Sequence, residues 1–209
     1  MASTTKAGTQ RKPRSDGERS RSAILNEAAR LATVEGIGGL SLGRLADAVG
    51  MSKSGLFAHF GSKEELQLAT IETANSIFDE QVLEPAAEAS PGLERLRTLL
   101  DSYLSYVEAG TFPGGCFFAS VLVEVSMQPG AVRDRLVAFL GDWVGRLREA
   151  VREGQREGTI DKREDPAQLA FELEAALLLA NTEYSVTQSA EAVRRGRKAI
   201  DRRLKEAVA

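Results

Sequence analysis

Residues 41–63 read SLGRLADAVGMSKSGLFAHFGSK, and this stretch decides the fold. Ser41 precedes a short apolar-periodic run (Leu42, Leu45, Ala46, Val49) and is a residue type that caps helix N-termini. Gly50 follows, suited to the left-handed conformation of a tight turn. Ser52 then opens a third helix expected to reach Phe60, with Leu56 and Phe60 four apart and facing back towards Leu45 and Val49. Two short helices across a glycine turn make a helix-turn-helix. Its apolar anchors leave Ser52, Lys53, Ser54, Gly55, Phe57 and His59 on other faces, open to a duplex. Short donors and the missing side chain of Gly55 suit close approach of the backbone to DNA. Lys53 is able to donate to guanine O6 and N7 in a major groove. Ser41 and Lys63 stand at helix N-termini, where backbone N–H groups and the helix dipole favour a phosphate.

Upstream, Ile24, Leu25, Ala28, Leu31 and Ala32 recur at helical spacing from Arg19 on, and Gly36, Gly38 and Gly39 stop that helix. Residues 1–18 are polar and basic with no hydrophobic period, and read as a disordered arm carrying Arg11, Lys12 and Arg14. Downstream, Ser62-Lys63-Glu64-Glu65 has the capping-box form and opens a long helix through Leu66, Ile71, Ala74 and Phe78. Past Pro85 and Pro91, Leu93, Leu96, Leu100, Tyr103 and Val107 form one helical stripe. Pro113-Gly114-Gly115 is a turn leading into the apolar segment Cys116–Leu122. That segment fits a buried helix or a strand, and helix is favoured because nothing else offers a strand to pair with. A helix from Pro129-Gly130 frays at Gly154 and Gly158. Asp165-Pro166 then starts another, by N-cap and Pro at N1, that is nearly apolar all round. The chain reads as all-α.

Composition excludes several classes. With 43% hydrophobic and 27% charged residues the chain is globular. One cysteine, Cys116, leaves no intramolecular disulfide. With one histidine, His59, far from it in sequence, no Cys–His metal set or dyad is expected, and no cofactor. No apolar run reaches a membrane span and the polar N-terminus lacks a secretory core, so a cytoplasmic protein is expected. No nucleophile–base pairing or Gly-rich phosphate loop suggests an enzyme. The net charge of −3 conceals a division: residues 1–65 hold ten Lys+Arg against seven Asp+Glu, and the remainder seventeen against twenty-three. A basic head sits on an acidic body.

Residues 19–65 resemble the DNA-binding domain of TetR-family transcriptional regulators. The likeness rests on Ile24-Leu25, on Leu42-x-x-Leu45-Ala46-x-x-Val49-Gly50, on Ser52-x-Ser54-x-Leu56-Phe57-x-His59-Phe60 and on Gly61-Ser62-Lys63-Glu64-Glu65-Leu66. It implies a three-helix head (19–65) joined by a linker helix to a larger helical domain (66–209) for ligand binding and dimerisation. It also implies that Ser41 and Lys63 touch phosphates and that Lys53, Ser54 and Gly55 face bases. Phe57 and His59 would lie along the backbone, His59 donating to a phosphate. The chain departs from the pattern where Phe57 replaces the usual Tyr, removing a hydroxyl. It departs again where Gly43 stands at a position that reads bases in some members, with Arg44 beside it as a possible substitute. The arm resembles basic arms that reach a minor groove.

In the body, Gly114-Gly115-Cys116-Phe117-Phe118 resembles one subgroup of the family's C-terminal domains. The helices near 131–153 and 166–188 carry the apolar surface expected of a homodimer interface. Tyr103, Cys116, Phe117, Met127, Trp143 and Phe171 are core residues first and candidate lining of an effector site second. Asn181 and Tyr184 supply polar groups to orient a ligand or to pair across a dimer. The basic run Arg194–Lys205 reads as a solvated helix face. Two functions fit: a repressor released by a small molecule from a pseudo-palindromic operator, and a constitutive DNA-binding or architectural dimer with no effector. An enclosed cavity in the body would separate them.

Overall fold

The computed structural model describes residues 13–125 and 129–209, with side chains from Gly17 on, Val125 excepted. The elements are α1 (Pro13–Glu35), α2 (Leu42–Ala48), α3 (Lys53–Phe57), α4 (Lys63–Phe78), α5 (Glu84–Ala87), α6 (Leu93–Glu108), α7 (Phe117–Val125), α8 (Ala131–Glu157), α9 (Pro166–Thr187) and α10 (Ala190–Ala207). Among the described residues there is no strand, only an isolated bridge between Ile160 and Val208.

Three departures from the sequence reading are local. First, α1 begins at Pro13, so Pro13–Glu18 are helical where an arm was expected. Proline at N1 costs no hydrogen bond, and adding polar turns to an existing helix is far cheaper than nucleating one. Second, α3 ends at Phe57, leaving His59 and Phe60 in the turn beyond it. Third, α8 runs to Glu157 with left-handed Gly158 as its cap; Gly154 lies inside the helix with Ile160 packed over it.

The head closes around Ile24, Ala28 and Ala32 of α1, Leu45 and Ala46 of α2, and Leu56, Phe60 and Leu66, all at most 2% exposed. The turn between α2 and α3 is a Schellman motif. Gly50 (φ +67°) donates to the Asp47 carbonyl and Met51 to the Ala46 carbonyl, which satisfies the last carbonyls of α2 and fixes the departure of α3.

α4 begins in the head and ends in the body. Pro85 has no N–H and crowds the carbonyl one turn back. The helix therefore widens into a π turn (Asp79–Leu83) before α5. At its end Phe78 is the hub of an aromatic core. The rings of Tyr103, Tyr106, Phe118, Phe139 and Trp143 stand 5.1–6.2 Å from it, all near perpendicular.

The apolar helix α9 is two-faced. Leu169, Ala170, Leu173 and Leu177 are buried, whereas Phe171, Leu178, Leu179 and Val186 are exposed. Phe171 is thus not a core or pocket residue: it points outward, 68% exposed. The basic helix α10 covers the other side of α9, Gly196 against Ala180. Its arginines staple helices together: Arg203 bridges Glu164 and Glu172, and Arg197 pairs with Asp101 and Glu108.

Candidate nucleic-acid interface

α2, α3 and α4 are each started by a serine. The Ser41 hydroxyl accepts the Arg44 N–H at 3.1 Å, Ser52 the Gly55 N–H at 3.1 Å, and Ser62 the Glu65 N–H at 3.0 Å. The reciprocal bond of the box is shifted by one residue, since the Glu65 carboxylate takes the N–H of Gly61, 2.9 Å away. Capping in this way costs the serines little as surface groups, because each hydroxyl still has its own proton to donate.

The geometry separates anchors from presented groups. Leu56 is fully buried, while Ser52, Lys53, Ser54 and Phe57 are exposed and Gly55 and His59 half-buried. Phe57 is 53% exposed, an apolar ring kept among donors on an open face. Lys53 does not extend straight into solvent. Its chain lies over Gly43, where an added Cβ would meet Lys53 Cε at 3.0 Å and Nζ at 3.2 Å. The missing side chain at Gly43 therefore opens room for a lysine from the next helix.

The neighbouring cations are held. Arg44 pairs with Glu35 at 2.7 Å while two-thirds exposed, and Lys63 Nζ donates to the Gly38 carbonyl at 2.5 Å. Arg21, which sequence reasoning missed, donates to the His59 carbonyl at 2.5 Å and lays its guanidinium 4.4 Å over the Phe60 ring, fixing the turn after α3. Arg11 and Lys12 lie outside the described residues; Arg14 stands in the first turn of α1.

Comparison with family models matches residues 24–70 to "Bacterial regulatory proteins, tetR family". It matches residues 92–200, more than half the chain, to "Tetracyclin repressor-like, C-terminal domain". The chain belongs to the TetR family. Among solved structures, a TetR transcriptional regulator from Chloroflexus aurantiacus is 25% identical with a TM-score of 0.85, covering 93% of this chain and 98% of its own. AibR, solved in complex with isovaleryl coenzyme A and operator DNA, is 26% identical with a TM-score of 0.70, covering 90% and 97%. A TetR-family regulator from Agrobacterium tumefaciens, 18% identical with a TM-score of 0.81 over 92% and 100%, shares the fold. None of the curated proteins compared matches the chain.

In this TetR-family regulator, Tyr103, Cys116, Phe117 and Trp143 come together in the core of the body. Asn181 is buried but already committed, its Oδ1 accepting the Cys116 N–H at 2.7 Å. Its side-chain oxygen is a structural pin for the start of α7. Tyr184 sits at the edge, its hydroxyl donating to the Glu108 carbonyl at 3.2 Å, and Met127 lies outside the described residues. The residue missed is Glu174, 9% exposed, whose carboxylate accepts from Trp143 Nε1 at 2.6 Å and whose pKa burial raises. Tyr103's hydroxyl is buried beside the Cys116 thiol with no oxygen or nitrogen partner, and burial above all raises the pKa of both. A thiol held protonated is the opposite of what cysteine reactivity requires. A cleft of about 130 Å³ reaches this core from outside, floored by Phe78, Phe139 and Trp143 and rimmed by Asp79, Arg135 and Asp142. Among the described residues no group of three or more His, Cys, Asp or Glu is placed to hold a metal, and no helix is long and apolar enough to cross a membrane.

Proposed function

We propose that the protein is a homodimeric cytoplasmic repressor, without catalytic activity, that a small molecule releases from a pseudo-palindromic operator. One observation carries the DNA half. A serine-capped helix is anchored by Leu56 and presents Ser52, Lys53, Ser54 and Phe57 outward, in a head that is basic while the body is acidic. In this reading residues 19–65 bind DNA and residues 66–209 dimerise and take the effector. Lys53, Ser54 and Gly55 face bases, with Arg44 available beside them once freed from Glu35. Ser41, Ser52, His59 and Lys63 meet phosphates, and Phe57 packs along the sugar–phosphate backbone. The outer faces of α8 and α9, with Val137, Phe171, Leu178, Leu179 and Val186 exposed, supply the self-complementary apolar surface of a two-fold dimer. Two recognition helices then meet half-sites about one helical turn apart or a multiple of it. AibR, crystallised with both a coenzyme A thioester and operator DNA, supports an effector that enters the body.

Footprinting on genomic fragments, repeated across salt concentrations, tests this. A protected palindrome whose affinity falls steeply with salt is expected, and failure to protect any specific duplex refutes it. A second reading, a constitutive dimer without effector, has one observation in its favour. The body's rings are in mutual contact, and the cleft that reaches them, about 130 Å³, is smaller than the roughly 300 Å³ at which ligand pockets begin. The larger clefts of the body, about 340 and 330 Å³, open elsewhere, beside Leu104 and Ile200 and beside Leu99 and Ala150. Operator affinity unchanged by every member of a metabolite library would favour it.

A further inference from the structure

The loop between α1 and α2 is held by a residue nearly ninety positions away. Glu124, near the end of α7 in the body, accepts the N–H of Ile37 on Oε2 and the N–H of the next residue, Gly38, on Oε1, both at 2.8 Å. The carbonyls of the same two residues are taken by α4: Gln67 Nε2 donates to Ile37 at 2.8 Å and Lys63 Nζ to Gly38 at 2.5 Å. Every backbone polar group of this dipeptide is thus fixed by a side chain from outside the loop, and three residues later Ser41 starts α2. The fit is tight: a Cβ at Gly36 or at Gly38 would fall 2.5 Å from a Glu124 oxygen. The glycines that stop α1 also make room for the carboxylate.

The other end of α7 is pinned as well. Asn181 of α9 accepts the Cys116 N–H, Ser185 of α9 donates to the Gly114 carbonyl at 2.7 Å, and the Gly114 N–H donates to Thr33 Oγ1 of α1 at 3.1 Å. Gly114 itself is pressed so closely on the Thr33 carbonyl that no Cβ fits. A nine-residue helix, about 14 Å long, therefore runs from the helix with the exposed apolar face to the loop that feeds the helix-turn-helix.

We propose that Glu124 is a positioning residue for DNA recognition: through its two bonds to the 37–38 loop, α7 sets the angle at which α2 and α3 are presented relative to α9, and hence the half-site spacing the dimer accepts. This rests on the dimeric, operator-reading function proposed above. Glu124 touches no DNA; it acts through the loop.

The test uses the full-length protein as wild type, Glu124→Ala and Glu124→Gln. Affinity is measured for one half-site and for a library of operators whose half-sites are separated by every spacer within one helical turn. Amide exchange of Ile37 and Gly38 is followed in parallel. Glu124→Ala should speed exchange at those two amides, leave single-half-site affinity within twofold, lower affinity at the preferred spacing about tenfold and spread binding over neighbouring spacers. Glu124→Gln, which keeps one acceptor oxygen, should fall between. Unchanged spacing preference in Glu124→Ala overturns the proposal, as does an equal loss for half-site and full operator. Wild-type protein that binds no specific duplex instead overturns the operator-reading function itself, which the first arm establishes separately.

Discussion

Phe171→Asp should convert the protein from dimer to monomer without unfolding it. The residue is 68% exposed in the protomer, so it contributes little to the protomer's own core. A phenylalanine presents about 200 Å² of surface, of which some 140 Å² is then open. A two-fold interface covers it twice, about 270 Å² in all, and at about 25 cal/mol/Å² this amounts to ~7 kcal/mol of dimerisation free energy. Covering only half of that area still leaves about 3.5 kcal/mol, a several-hundred-fold weaker dimer, before adding the cost of placing two carboxylates against apolar neighbours. Sedimentation velocity over a hundredfold concentration range reads the change directly. Circular dichroism should show the same helix content in both proteins, since exposed substitutions shift stability by about 0.5 kcal/mol or less. Wild-type protein that sediments as a monomer, or a Phe171→Asp variant that remains a dimer at low micromolar concentration, would refute the assignment of the α9 outer face.

Three further outcomes are expected. Lys53→Ala should relax base preference at one position, costing roughly 1–3 kcal/mol there, whereas Lys63→Ala should weaken all sequences alike; equal specificity loss in both, by in vitro selection, contradicts the roles given to them. Gly43→Ala should raise the melting temperature slightly, by less than the roughly 1 kcal/mol alanine gains over glycine in a helix interior, because residue 43 stands in the first turn of α2. At the same time it should alter base preference by displacing Lys53, whose Cε stands 3.0 Å from where the new methyl would be; a melting change alone would separate Lys53 from Gly43. Glu174, its pKa raised by burial, binds its proton more tightly folded than unfolded. Stability from this group is therefore lost as pH rises from the ordinary glutamate range through the raised value. Subtracting Glu174→Gln melts from wild-type melts at each pH isolates this loss from the opposite trend of ion-paired carboxylates such as Glu72; a flat difference refutes it.

What could be read from the sequence was what is local. Ser41, Ser52, Ser62 and Asp165 cap the helices they precede because a cap needs only its own next turn. Gly50 likewise serves the turn its neighbours demand. Periodicity reads α9 as nearly apolar all round and does not tell which side faces outward, so the sequence alone places Phe171 inward, where the structure turns it out. Glu174 did leave a signal: it shares the stripe of Ala170, Leu177 and Asn181, an acidic residue on the buried side of an apolar helix. Arg21 against His59 and Glu124 against Ile37 left none, since each pairs residues whose meeting depends on how whole helices cross.

The placement of Phe78 has a consequence for engineering. α4 leaves the head with Leu66 in one core and enters the body with Phe78 at the centre of another, and residues 71–91 fall between the two family models. Transplanting this head onto a relative's body therefore has no neutral junction. A cut before Leu66 strips the head of its floor, and a cut after Ala87 carries a foreign aromatic hub into a core shaped for other rings. A working chimaera must bring the partners of Phe78 along with it, and must keep Gly36 and Gly38 wherever Glu124 is retained.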